Sequence, residues 1–579
     1  MSTEQYKNFV RPFSVIDDRL GVSDMLDYAV MKGAQESTIQ RFPANSASSS
    51  SHVYNINISS KNALLDRRIV WHSKVKLKLS ATNIHGSYRG NLNLVNVGST
   101  DALAPFPLHM MCQNIQATIN SNTVSVQMQD VLPQLLRLNN KNDLLAYNGS
   151  TPCAYDTFYS YADSYSFNSN ALGAINNSPD EDINFRGSYP VKLSTAPIPN
   201  GQGGNNPNPA TVYSQDVEFE VWEPLLLSPF MYGQPQNKSA MFGINNMSFM
   251  MNIGRLNRVW RHAAINTGTP ASDRSWDITV ADVTFTDPEM IFNFLTPPNS
   301  MTLPPRCIVP YYNLNRMLLS TNGNIINHGQ TNTIQSNAVT IEQIPDKFVI
   351  CVRKRLADQT CQDSDSFWPI TKMNITFNNK AGYCSGWEPI DFYKAAREAG
   401  SNQSWLEFYG TANTQATDPL KSNKNVKTSG SLVVLEVGKD LALGEEYLAP
   451  GVGGGYGLQF SVEVTNPSDT EDLVPEIVLI AINSGVFKLE DGSSEVKTAV
   501  LLPSEVTAAS KETPIVHANL RRMVGSGFVD SLKNAWKRSG PLVKHGVTVA
   551  DTLTADGLSA SGLSGAAIRH HKSLKDRLK

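Results

Sequence analysis

Val75-Lys76-Leu77-Lys78-Leu79 sets apolar side chains against lysines with a period of two. Successive side chains of a strand point to opposite faces, so this stretch reads as a strand with one face in a core and one in water. The reading extends outward. Val53 to Ile58, Val217 to Trp222, Lys347 to Val352, Asn374 to Phe377, Leu432 to Val437, Leu458 to Val464 and Ile477 to Ile482 alternate or are rich in β-branched residues, and Asn, Gly, Pro and Ser bound them. Asn accounts for 51 of the 579 residues, more than the 49 Lys plus Arg, and it builds turns and tolerates left-handed backbone. Helical windows are few: Val131 to Leu138, Ile390 to Ala399 and Gln403 to Tyr409. This spacing predicts antiparallel β-sandwiches rather than alternating βαβ units.

Strand number and length divide the chain into an arm (1–49), two comparable blocks (50–285 and 286–510), each with enough strands for an eight-stranded jelly roll, and a tail (511–579). Phe294 to Pro310, with Pro297, Pro298, Pro304 and Pro305, is expected as a stiff connection between the blocks. Ser178 to Thr211, rich in Pro, Gly and Asn, is expected as a long exposed insertion. Residues 521–579 hold eleven Lys or Arg against four Asp, while the whole chain carries a net charge of −3. The tail is therefore a separate electrostatic object, written in short helical stretches broken by glycine.

Composition and motifs exclude several classes. No apolar run approaches the roughly 18 residues of a spanning helix, and no basic region followed by an apolar core opens the chain. Six cysteines without a CxxC pair fit a reduced compartment and give no zinc pattern. There is no phosphate-binding GxxxxGK[ST] motif, and Gly451 to Gly457 is expected as a glycine-rich turn before a strand. His545, His570 and His571 stand in the basic tail without Cys or clustered acids, and Cys384 reads as a buried, inert thiol. Asp180, Glu181 and Asp182, like Asp363 and Asp365, stand in loop contexts where solvated charge is the expectation. No catalytic constellation, cofactor motif or metal set is found, and the chain is expected not to be an enzyme. Large β domains, long loops and a basic tail describe a building block.

Several segments then carry a resemblance. Pro105-Phe106-Pro107-Leu108, Ala117-Thr118-Ile119-Asn120 and Gln129-Asp130-Val131-Leu132-Pro133 resemble the first domain of double jelly-roll major capsid proteins of eukaryotic DNA viruses. The likeness is to those of Polinton-like viruses and adintoviruses, and more distantly of virophages. Glu223 to Phe230, Gly243 to Met247 and Arg258-Val259-Trp260 continue it. Gln343 to Lys347, Val352-Arg353-Lys354, Ile375 to Asn379, Glu436 to Asp440 and Ala449 to Gly451 carry it through the second block in family order. The resemblance implies two jelly rolls per subunit and a homotrimer of hexagonal outline that tiles an icosahedral shell in the virion. Neighbouring capsomers, penton and minor capsid proteins would be its partners. On this reading, aromatics such as Tyr311, Tyr312, Trp368 and Trp387 either anchor interfaces or pack in the core. A carbohydrate- or receptor-binding β-sandwich, or a minor capsid protein, is the alternative; exposed aromatics and Asn-rich loops would suit the former, and missing secretion and disulfide signals count against a secreted lectin.

The tail adds a separate expectation. Met523-Val524-Gly525-Ser526-Gly527 resembles the cleavage pattern of adenovirus-type maturation proteases, which places a cut between Ser526 and Gly527. Immediately after it, Phe528, Leu532 and Trp536 recur at helical spacing, with Lys533 and Lys537 on other faces. Such a basic amphipathic helix suits a membrane interface, and the basic excess suits DNA phosphate.

Overall fold

The computed structural model describes residues 36–58, 63–82, 94–95, 97, 101–139, 151–159, 190–194, 213–230, 240–262, 277–297, 303, 305–319, 323–414, 424–443, 449–490 and 492–498. Every strand window named above lies within or overlaps a strand there, and each of the three helical windows holds a helix.

Two sandwiches follow one another. In the first, one sheet runs Glu36–Pro43, Asp277–Thr296, Val70–Thr82 and Tyr213–Pro224, antiparallel throughout. The facing sheet runs Ser51–Asn57, Asn246–Ile253, Cys112–Ile119 and Asn122–Val126. In the second, the sheets are Arg306–Leu319, Pro475–Glu490, Lys347–Lys354 and Val433–Glu436, then Thr331–Gln335, Gly453–Thr465, Ile370–Phe377 and Lys380–Tyr383. Taking these eight strands in chain order, each sandwich pairs its first, eighth, third and sixth in one sheet and its second, seventh, fourth and fifth in the other. That is the jelly-roll topology, used twice.

Alternation places the core. Val75, Leu77 and Leu79 are buried while Lys74, Lys76 and Lys78 are exposed on the outer face. Trp71 joins the sheets by donating its indole N–H to Tyr54 Oη at 3.0 Å, and in the second roll Phe348 meets Phe460 edge-on. Both rolls then build the same corner. A tight hairpin turns on left-handed Asn, at Asn120 (φ 52°) in one and at Asn378 and Asn379 (φ 46° and 64°) in the other. A ten-residue helix follows each hairpin, Met128–Arg137 and Pro389–Glu398. Pro389 at the first helical position and a capping box between Glu388 and Asp391 start the second.

Several sequence expectations change. Glu36–Pro43 is the first strand of the first roll although it falls in the expected arm, because its Phe42 packs on Phe292 and Phe294. Asp277–Thr296 is one strand and runs past the division expected at 285. The proline-rich connection shrinks to 297–305, since Arg306–Leu319 includes Pro310. That strand lies at a sheet edge, where a proline without N–H costs no ladder bond. Gly453 to Gly457 are strand rather than turn, for the long strand Gly453–Thr465 pairs there with Val339–Gln343. Of the expected insertion, Lys192–Leu193 is a short strand on Tyr213–Pro224. Asp180, Glu181, Asp182, His545, His570, His571 and the tail residues Ser526, Gly527, Phe528, Leu532, Lys533, Trp536 and Lys537 lie outside the described residues.

Candidate functional site at the seam between the rolls

The two rolls meet along a buried polar seam. The helix Met128–Arg137 of the first roll lies against the outer face of the second roll's sheet. Its Asp130 carboxylate pairs with Arg353 and, at 3.0 Å, with Arg316. One turn on, Gln134 Nε2 donates to Cys351 Sγ at 3.1 Å. Arg353 also meets Glu476 at 2.9 Å. Burial alone would lower the affinity of Arg353 for its proton, but Asp130 and Glu476 outweigh that and raise it.

A second cluster centres on Asp365, which is buried rather than solvated as its loop context suggested. Its two oxygens accept from Arg258 Nη2 at 2.8 Å and Arg261 Nη2 at 2.7 Å, both from the first roll. Arg261 Nε also donates to Asp156 Oδ2 at 3.1 Å, and the same oxygen receives the backbone N–H of Asp365 at 2.8 Å. Arg137 Nη2 donates to the carbonyls of Asp156 and Asp365 at 2.8 and 2.7 Å, with its guanidinium over the Phe367 ring. Burial works to raise the Asp365 carboxyl, but the Arg258 and Arg261 charges prevail and hold it below the ordinary carboxylate range. Asp363, by contrast, is only half buried and pairs with Lys354 at 3.2 Å.

Backbone bonds continue the seam. Ser364 Oγ donates to the carbonyls of Phe158 and Tyr159 at 2.6 and 2.5 Å, Ser429 N–H to Thr157, and His262 N–H to Cys361. At the far end Ser494 Oγ donates to the Ile119 carbonyl at 2.5 Å and accepts from Asn122 N–H at 3.0 Å. Buried charges paired across the seam favour this one relative placement of the rolls, because another would leave an uncompensated ion in the interior.

Sequence reading missed most of this set. A usable signal was present: Asp130, Arg258 and Arg353 each abut a short apolar stretch, Val131-Leu132, Val259-Trp260 and Val349 to Val352, and a charge drawn into the interior with such neighbours needs a buried partner. All three belong to segments that carried the resemblance. Of the aromatics considered as interface anchors, Trp368 and Tyr311 are core, Trp387 is half buried against Phe392, and Tyr312 is 37% exposed. Cys384 is buried, and burial pushes its thiol up to about 12, so it stays protonated near neutral pH. Among the described residues no three His, Cys, Asp or Glu side chains converge to hold a metal ion.

Two jelly rolls of one strand order, joined in tandem and locked face to helix, make up a double jelly-roll fold. A family model described as Sputnik virophage major capsid protein 1st domain matches residues 10–295, and one described as Major capsid protein V20 C-terminal domain matches residues 314–485. The chain belongs to the virophage major capsid proteins and is a component of the virion. Capsid protein V20 of Sputnik virophage is 26% identical over 542 residues, covering 91% of this chain and 87% of the relative. The cryo-EM structure of the Sputnik virophage superposes with a TM-score of 0.72 at 24% identity, over 89% of this chain and 98% of that one. The crystal structure of the mavirus major capsid protein gives 0.65 at 14% identity, over 86% and 98%.

Proposed function

We propose that three copies of this major capsid protein close into a capsomer of hexagonal outline, each copy supplying two of its six rolls. The carrying observation is the seam. It makes two rolls of one topology into a single rigid block, and three such blocks repeat the roll six times around a ring. The domain division that follows from strand pairing is 36–296 for the first roll and 306–498 for the second. Neighbouring capsomers, penton and minor capsid proteins border this unit in the shell.

The tail is read as a maturation element. A viral protease cuts between Ser526 and Gly527, and the released segment, with Phe528, Leu532 and Trp536 on one face and Lys533 and Lys537 on others, acts on a membrane or neutralises DNA. What supports this is the pentapeptide pattern and the positive charge of 521–579.

Light scattering coupled to size exclusion, with micrographs of the same peak, tests the capsomer. A stable species of about 190 kDa, three times the 63.5-kDa chain, is expected. A persistent monomer across salt and pH overturns the trimer. For the tail, mass spectrometry of purified virions is expected to show a chain ending at Ser526; full-length chain alone sinks cleavage.

A further inference from the structure

The seam engages one sheet of the second roll and leaves another sheet free in each roll. The helix Met128–Arg137 follows the first roll's fifth strand and lies on the outer face of the second roll's sheet of first, eighth, third and sixth strands. The sheet of second, seventh, fourth and fifth strands lies on the far side of each sandwich. Among the described residues, its outward side chains are all at least partly accessible in both rolls.

These two free faces share one chemistry. On the first roll, not one outward residue of the strands Ser51–Asn57, Asn246–Ile253, Cys112–Ile119 and Asn122–Val126 carries a charge. Asn55, Ser248, Thr118 and Thr123 make one row across the sheet. Val53, Met250, Gln116 and Ser125 make the next. On the second roll the row Gln335, Ser461 and Asn374 is neutral as well, and in the row beside it Lys372 and Glu463 cancel each other at 3.6 Å. The opposite face of the first roll is different: there Lys76 pairs with Asp216 at 2.7 Å and Lys74 with Asp287 at 3.3 Å. Charged residues are 17% of the chain, so a four-stranded face without any is a departure that composition does not explain.

A charged face prescribes its partner, because each ion needs its opposite at one register and rejects its like. A flat face of short amides and hydroxyls makes no such demand, and two of them stack at the roughly 10 Å separation of packed sheets. From this we infer that the neutral sheets are the sides by which neighbouring capsomers of the shell meet, and that their neutrality lets either roll of one copy face either roll of another. The occupant of each face is therefore a second copy of this chain in the next capsomer, and the contact is insensitive to salt. This rests on the capsomer proposed above. A unit built of two kinds of roll presents two kinds of side, and sides without charge fit one another whichever way the unit is turned.

Met250, 38% exposed in the middle of the first roll's neutral face, is a native probe. Purified capsomers and intact virions are treated with hydrogen peroxide, and the sulfoxide of Met250 is followed by peptide mass spectrometry. Oxidation is expected in the free trimer and at least about fivefold more slowly in virions, at low and high salt alike. Two full-length variants at exposed positions of both faces form the second arm: Met250→Lys with Gln335→Lys, and Met250→Glu with Gln335→Glu. Light scattering is expected to show each as a trimer, and micrographs to show that neither packs into the ordered arrays of wild type. An equimolar mixture is expected to recover them, now in a salt-sensitive form. A monomeric wild type overturns the trimer reading itself. With the trimer standing, protection of Met250 already in the free trimer refutes the inference, because the face then lies inside the capsomer. Equal oxidation in virions refutes it too, and leaves the face open to outside ligands such as glycans. Charged variants that assemble like wild type, or a mixture that stays dispersed, also refute it.

Discussion

Asp365→Ala removes the one carboxylate shared by Arg258 and Arg261 and leaves two buried guanidiniums with Asp156 as their remaining carboxylate nearby. Breaking a buried pair by deleting one partner costs about 3 to 5 kcal/mol, since the orphaned charge keeps its desolvation penalty. Unfolding entropy near 2.1 cal/mol/K per residue gives about 1 kcal/mol/K when the two rolls, about 460 residues, unfold as one cooperative unit, so a loss of 4 kcal/mol lowers Tm by about 4 °C. The seam joins the rolls, so the variant is also expected to unfold in two separated calorimetric transitions where the parent shows one. Scanning calorimetry of the full chain at pH 7 measures both effects. Asp472→Ala is the control: its pairing with His328 at 2.9 Å is half exposed, and exposed pairs contribute about 0 to 1 kcal/mol. A Tm shift below about 2 °C for Asp365→Ala, or one no larger than the control's, would refute the claim that the ion cluster locks the rolls.

His52 is buried between Phe285, Trp71 and Tyr54, and burial pushes its imidazole down to about 4. Between pH 6.5 and 4 the unfolded chain therefore holds a proton that the folded chain refuses, so stability falls as pH drops, by about 3 kcal/mol over that window. Urea midpoints at pH 7, 5.5 and 4.5 should show this slope, and His52→Phe should flatten it; an unchanged slope in the variant counts against the assignment. Gly430 sits at φ +78°, where an added Cβ would lie 2.1 Å from the Phe367 carbonyl oxygen. Gly430→Ala is expected to cost more than about 2 kcal/mol, against about 1 for Gly323→Ala at φ +72° with open space around it. Equal costs in denaturant titration would show that backbone conformation alone, and not the close approach to Phe367, governs the site.

The sandwich class was legible because its signal is local. Lys76 and Lys78 between Val75, Leu77 and Leu79 state which face meets water, and no distant residue changes that reading. Boundaries were harder. Glu36–Pro43 looks like an arm because six of its first seven residues are exposed; it becomes a strand only through a partner some 250 positions away. Pro310 argued for a linker, but an edge position removes the cost of its missing N–H. The seam was least legible. Asp365 in Gln362 to Ser366 is surrounded by polar neighbours in sequence, and only tertiary packing brings Arg258 and Arg261, over a hundred positions earlier, to its two oxygens.

Why the seam is ionic follows from what it must discriminate. Two rolls of one topology present similar faces, so an apolar seam would tolerate a roll docked on the wrong sheet. The outer faces carry different charges at matched points: Arg353 and Cys351, both buried, in one, and Lys76 and Lys74, both exposed, in the other. Placing the first roll's helix on the first roll's own sheet type would set Asp130 against exposed lysines and leave Arg353 and Arg316 without it, a difference of several kcal/mol in favour of the arrangement seen.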